Sequence, residues 1–220
     1  MRPPATHVVF DMDGVLLDTE KLYTRATQQI VGRFGKTFDW SVKKDMIGRP
    51  ALDSARHLVA ALALPISPED YLAERDILFE ELMPTAEAMP GARELTSALA
   101  ARGVPMAVAT SSKRPIYEMK TRNHREWFRT FSAVVLGDDP RVRHGKPAPD
   151  IFLVAATCLG ARPETCVVIE DAPAGARAAR AAGMRVVAFP DPGVGRAPFE
   201  GMVDLIIDSL IHIEPDVLLA

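Results

Sequence analysis

Apolar residues along the chain gather in short, nearly continuous runs. The first, His7-Val8-Val9-Phe10, stops abruptly at Asp11, and similar runs recur at 104–109, 133–136, 167–169, 186–189 and 205–207. Runs that are apolar at every position, without alternation, predict strands buried on both faces of a parallel sheet. Helical periodicity fills the gaps at 92–102, 116–124, 151–159 and 174–182. The last of these has Pro173 at its start and Gly183 just past its end, the punctuation expected of a helix. Strand alternating with helix predicts a doubly wound, mostly parallel α/β sheet with a Rossmann-like core. Such sheets bind ligands beyond the carboxyl ends of their strands.

One segment breaks the rhythm. Residues 19–83 contain no strand-like run, only helical periodicity interrupted by Gly35, by Gly48-Arg49-Pro50 and by Pro65. The pattern predicts a small all-helical domain of residues 19–83 inserted into an α/β core of residues 1–18 and 84–220, with hinges at 14–18 and 84–90. There is no internal repeat and no low-complexity tract.

Composition narrows the classes. Hydrophobic residues make up 48% and charged residues 25%, enough apolar content for a sizeable core in a soluble protein. A net charge of −3, with no basic excess, argues against a nucleic-acid partner. The longest stretch free of Asp, Glu, Lys and Arg is the twelve residues 57–68, short of the roughly 18 that span a bilayer. Met1-Arg2-Pro3-Pro4 leads to Asp11 before the apolar region of a signal peptide can form. Cys158 and Cys166 give no disulfide framework, fit a reducing compartment and are expected in the core. These features predict a cytoplasmic protein with no membrane attachment and no evident obligate protein partner.

The chemistry gathers at strand ends. Asp11-Met12-Asp13-Gly14 lies where the first run turns into a loop, so both carboxylates can face a ligand. A calcium loop starting there would require glycine at Leu16 and glutamate at Leu22, so that reading fails, whereas a solvated turn stays open. Ala109-Thr110-Ser111-Ser112 closes the second run with hydroxyls and backbone N–H groups, suited to an anionic oxygen or to a helix N-cap. Gly145-Lys146-Pro147-Ala148-Pro149 presents a lysine before a helix. It is no P-loop, because Pro140 and Pro147 stand where glycine and Ser or Thr belong, and a solvated surface charge is the alternative. Val167-Val168-Ile169-Glu170-Asp171 ends in two adjacent acids, whose repulsion a cation between them and the first pair would relieve. Oxygen donors alone point to magnesium over zinc, and His7, His57, His124, His144 and His212 show no metal-ligand spacing.

DMDGVLLDTE, VATSS, HGKPAPDIF and VIEDAPAGARAARAAG resemble, in order and spacing, the four motifs of the haloacid dehalogenase-like hydrolases. The resemblance covers almost the whole chain and is to the branch with a helical cap. KTFDWS, MPGA, EMKTRNHREWF and VVLGDDPRVRHGKPAPD are similar to the pseudouridine-5′-phosphatases and plant-type glycerol-3-phosphatases of that branch.

The resemblance implies a Mg²⁺-dependent phosphomonoesterase acting on a small phosphorylated metabolite. In it Asp11 is the nucleophile that forms an aspartyl-phosphate, and Asp13 is the general acid and base. Mg²⁺ is held by Asp11, Asp13 through its carbonyl, Asp171 and Glu170. Lys146 offsets charge, while Thr110, Ser111 and Ser112 hold the transferring oxygens. An acid at position 13 separates the chain from the family's dehalogenases and P-type ATPases. The family's mutases carry a cap histidine twelve residues after the nucleophile, where this chain has Tyr23. Substrate contacts fall to the cap and to loops such as Gly137-Asp138-Asp139. Arg49, between a glycine and a proline, is expected on the cap face above Asp11 as a substrate-binding guanidinium. Pseudouridine 5′-phosphate, glycerol 3-phosphate and sugar phosphates all fit. A β-phosphoglucomutase-like phosphomutase and a non-catalytic phosphate-binding protein are the alternatives, the latter weakened because no motif residue is lost.

Overall fold

The computed structural model of the chain describes residues 3–46, 51–211 and 213–220. Ile47, Gly48, Arg49, Pro50 and His212 lie outside the described residues, so the expectation for Arg49 does too. The chain divides into two compact units, Met1–Asp18 with Glu87–Ala220 and Thr19–Ala86.

The larger unit is built on six strands: β1 (His7–Phe10), β2 (Met106–Ala109), β3 (Ala133–Val135), β4 (Cys166–Glu170), β5 (Arg185–Ala188) and β6 (Leu205–Ile206). They form one sheet in the order β3-β2-β1-β4-β5-β6, and every pairing is parallel. The strands are short and mostly apolar, with His7, Glu170 and Arg185 at strand ends. Every residue of β2 and β4 is buried, as both faces of a helix-covered sheet require. Val9, Val168, Ala107 and Val186 share a core with Phe152 and Ala176 from the covering helices.

The chain lays β2 and β3 on one side of β1, then crosses to lay β4, β5 and β6 on the other. Loops leaving β1 and β4 therefore diverge, and an open α/β sheet forms its ligand crevice at such a reversal. Register sets the level of the rim. Phe10 pairs with Val108 and with Ile169, so Asp11, Ala109 and Glu170 come next on three adjacent strands, and Val135 pairs with Ala109.

The smaller unit contains α1 (Glu20–Gly32), α2 (Trp40–Lys43), α3 (Ala51–Leu62) and α4 (Pro68–Leu82). Ile30, Val31, Leu58 and Tyr71 form its core, and the Tyr71 hydroxyl lies 2.9 Å from Thr27 Oγ1, which satisfies both groups in the interior. Ser67, just ahead of Pro68, and Asp70 in the first turn make a reciprocal capping box, so α4 starts where its sequence signals it. A 3₁₀ turn at Met83–Thr85 prolongs this helical run, and the unit therefore ends after Ala86.

The other helices belong to the larger unit: α5 (Ala92–Ala101), α6 (Arg114–Lys120), α7 (Arg125–Phe128), α8 (Asp150–Leu159), α9 (Pro173–Ala181) and α10 (Pro215–Leu219). Two expectations need correction. The periodicity over 116–124 is not one helix: α6 ends at Lys120, and a 3₁₀ turn at Arg122–His124 follows. Cys158 is not a core residue. Ile151, Phe152, Ala155 and Ala156 face inward from α8, which turns Cys158 outward, where its sulfur accepts from Arg141 Nη1 at 3.3 Å. Cys166 is buried, as expected. Among the described residues no helix is long and apolar enough to cross a membrane.

Candidate active site

Asp11, Thr110, Lys146 and Glu170 meet at the rim where β1, β2 and β4 end. The Lys146 ammonium bridges two carboxylates, 2.5 Å from Asp11 Oδ1 and 2.6 Å from Glu170 Oε1, and donates to the Ala109 carbonyl at 3.2 Å. Its loop is shaped from within: the Asp150 carboxylate accepts from the Arg143 and His144 N–H groups, both at 3.0 Å, and Ala148 N–H bonds to the Gly145 carbonyl. The lysine stem passes the face of Phe152, with Nζ 5.0 Å from the ring centroid.

Asp13, one turn of chain beyond Asp11, is held by the end of β2 and the helix after it. Its Oδ1 accepts from Lys120 Nζ at 2.5 Å, and its Oδ2 accepts from Ser112 Oγ at 3.2 Å and Thr110 Oγ1 at 3.5 Å. Thr110 Oγ1 in turn accepts from Ser112 N–H at 3.1 Å, so the hydroxyl that could cap a helix also shapes the rim. Ser111 lies between them. Lys120 is the residue that sequence reasoning missed. On a short polar helix a lysine reads as surface charge, yet Lys120 follows Ile116 by four and Tyr117 by three, on the inward stripe, and is wholly buried.

Two glycines let the acids approach the backbone. Gly14 has φ +76°, and a Cβ there would strike the Asp171 carboxylate; a Cβ at Gly175 would strike that of Glu170. Glu170 uses both oxygens, one on Lys146 and the other accepting from Ala172 N–H at 2.9 Å. Asp138 and Asp139 are both engaged, one by the start of α6 and one within its own loop. The first accepts from Arg114 N–H, and the second is gripped by Arg141, which pulls its carboxyl down to about 2.

The electrostatics are dominated by crowded acids. Burial pushes the Asp11 carboxyl up to about 7; Lys146 pulls it down, while Glu170 and Asp13 add to the upward push. Lys146 is itself burdened by burial, but Asp11 and Glu170 hold it charged well above the ordinary lysine range. Four acids, Asp11, Asp13, Glu170 and Asp171, face two lysines, Lys120 and Lys146, which leaves −4 + 2 = −2 when all are ionised.

That surplus matches a divalent cation, and the donors are hard oxygens. Among the described residues no three His, Cys, Asp or Glu side chains make a ready-made metal cluster. Mg²⁺ asks for none, since it commonly keeps several waters and binds through one or two carboxylates plus a phosphate. Asp11 and Asp171 are the carboxylates that could serve, and the Gly14 approach holds Asp171 beside the Asp11–Gly14 loop.

Residues 5–183 match the model of the haloacid dehalogenase-like hydrolases. Over 220 residues the chain is 45% identical to (DL)-glycerol-3-phosphatase 2 of Arabidopsis thaliana, an overlap of 98% of this chain and 91% of that one. A Drosophila melanogaster protein named "probable pseudouridine-5′-phosphatase" is 48% identical over 190 residues, 85% of this chain and 82% of the other. The crystal structure of a hydrolase of the same family from Deinococcus radiodurans, with bound phosphate and sodium, superposes with a TM-score of 0.78 at 28% identity, covering 94% of this chain and 92% of that one.

Proposed function

The chain belongs to the haloacid dehalogenase-like hydrolase family, and on that premise we propose that it is a Mg²⁺-dependent phosphomonoesterase working through Asp11. The observation that carries this reading is the pairing at the rim. One carboxylate, Asp11, is buried against a lysine, and a second, Asp13, stands two residues on with its own donors. Pairs of carboxylates in contrasting surroundings are how a site divides nucleophile from acid–base group.

Asp11 attacks phosphorus while the ester oxygen departs with a proton from Asp13, leaving an acyl phosphate on Asp11. Asp13, now ionised, takes a proton from water. The resulting hydroxide attacks the same phosphorus, the bond to Asp11 breaks, and inorganic phosphate leaves. An anionic nucleophile approaching a phosphate dianion meets repulsion of about 4 kcal/mol per charge pair at 4 Å with an effective dielectric of 20. Lys146 offsets part of it from 2.5 Å, held in place by Glu170. Asp11, Asp13, Asp171 and Glu170 would hold Mg²⁺, whose charge would offset the remainder and keep Asp11 ionised. Thr110 and the Ser111 N–H orient the transferring oxygens, while the Ser112 hydroxyl and N–H are turned to Asp13 and Thr110.

The substrate is the phosphate ester of a primary alcohol on a small metabolite, with pseudouridine 5′-phosphate and glycerol 3-phosphate heading the candidates; the names of the two relatives support that class. Hydrolysis is favoured over phosphomutation. Tyr23 stands twelve residues after Asp11, and its ring packs edge-on against Phe79 at 5.0 Å inside the helical unit. A panel of phosphomonoesters assayed with Mg²⁺ tests both points. Release of inorganic phosphate from the primary-alcohol esters, abolished in Asp11→Asn, is the expected result. Turnover by a folded Asp11→Asn protein, or a hexose 1-phosphate isomerised faster than it is hydrolysed, would overturn the reading.

A further inference from the structure

We propose that Lys120 is a positioning residue for the reaction, fixing the Asp13 carboxylate and the Ser112 hydroxyl in the orientation in which Asp13 passes a proton to the leaving oxygen. The proposal rests on the reading of Asp13 as the acid–base group.

Lys120 is the last residue of α6, and its side chain has no exposure at all, whereas that of Asp13 remains 25% exposed. A buried ammonium is tolerated only where its protons find acceptors. Lys120 Nζ donates to Asp13 Oδ1 at 2.5 Å and to Ser112 Oγ at 2.9 Å. Because the serine oxygen accepts from the lysine, the hydroxyl's single proton points away from the ammonium, to Asp13 Oδ2 at 3.2 Å. The three groups close a ring in which the lysine donates to the other two and the serine donates to Asp13. Both oxygens of Asp13 are thereby held by the segment running from β2 into α6, far from Asp13 in sequence.

Folding alone gives little reason for this arrangement. Exchanging a buried ion pair for apolar side chains of similar volume is often neutral or stabilising. What the lysine supplies beyond bulk is a fixed direction for a carboxylate that must reach the ester oxygen. General acid catalysis contributes about 10²–10⁴ in rate and depends on hydrogen-bond reach, so a misdirected Asp13 forfeits much of it.

The leaving group reports this loss separately from any damage to the fold. An alkoxide needs a proton as it departs, whereas 4-nitrophenolate does not. Single-turnover formation of the acyl phosphate is followed with Mg²⁺ for glycerol 3-phosphate and for 4-nitrophenyl phosphate, in wild type, Lys120→Met and Lys120→Gln. Lys120→Met is expected to slow the alkyl ester by about 10²–10³ and the aryl ester by less than about 10-fold, with kcat falling and KM nearly constant. Lys120→Gln, which keeps an N–H donor, recovers part of the alkyl rate. Equal losses on both esters in folded variants, unchanged rates on both, or failure of both variants to fold would overturn the proposal, the last by assigning Lys120 to the core. A wild-type protein that hydrolyses neither ester nor any other in the panel would instead overturn the phosphatase reading on which it rests.

Discussion

Asp11 is predicted to lower the stability of the fold that presents it, and replacing it should expose the cost. An ordinary aspartic acid gives up its proton near 3.8; in the fold burial, with Glu170 and Asp13 nearby, holds the group up to about 7 against the pull of Lys146. Between those values the folded chain keeps a proton that the unfolded chain has released, so stability falls as pH rises through the window. The interval, at about 1.4 kcal/mol for each tenfold in proton affinity, comes to about 4 kcal/mol by pH 8 and to under about 2 kcal/mol at pH 5. Asp11→Asn abolishes the ionisation with little change of shape. In chelator it should therefore melt higher than wild type at pH 8, by a margin on the order of 10 °C for a chain of this size, and by less than about half that at pH 5. Saturating Mg²⁺ should close the gap at pH 8 by stabilising wild type alone, because the ionised carboxylate is the ligand. Calorimetry of both proteins at the two pH values, with and without Mg²⁺, reads all of this. A melting difference independent of pH, or an Asn variant less stable than wild type at pH 8 in chelator, would refute the reasoning.

Lys146→Met should cut phosphate release by at least about 10²-fold and cost about 3–5 kcal/mol in urea unfolding at neutral pH, because Asp11 and Glu170 lose the cation they share. Gly175→Ala should destabilise the larger unit by about 1–3 kcal/mol and depress turnover, since its Cβ meets the Glu170 carboxylate that anchors Lys146; a melt and a rate matching wild type would refute this. Burial pushes the Cys166 thiol up to about 11, so brief maleimide treatment of the native protein near pH 8 should label Cys158 alone by mass spectrometry, and labelling at both cysteines would contradict the prediction.

The division between what could and could not be read from the sequence follows from the range of the interactions. Strands buried on both faces must be apolar at every position, so each advertises itself locally, and its end is marked by the first polar residue. Asp11, Thr110 and Glu170 are such residues, and parallel register alone carries Asp11 and Glu170 to one level with Thr110 one residue beyond it. Lys146 came with them because its loop is bounded by prolines and leads into α8. Helix boundaries were less legible. A period of 3.6 does not distinguish a helix from a helix continued by a 3₁₀ turn, so neither the end of α6 at Lys120 nor the extension of the helical unit to Ala86 is legible in it. Residue type alone points Cys158 to the core, but α8 sets orientation by position, and position turns it outward.

Lys120 marks the deeper limit, because its partner lies 107 residues away and no local pattern encodes the pairing. The signal it did leave was a lysine on the apolar stripe of an amphipathic helix, three and four residues from Tyr117 and Ile116. A charge in that place must be matched inside the fold, and the acids able to match it are those already assigned to chemistry. Counting it changes the site's balance from four acids against one lysine to four against two, and it is this second count that leaves a surplus of −2, the charge a single Mg²⁺ neutralises. A phosphate dianion then enters a pocket that is near neutral with the metal bound and doubly negative without it, so substrate affinity itself should depend on the cation.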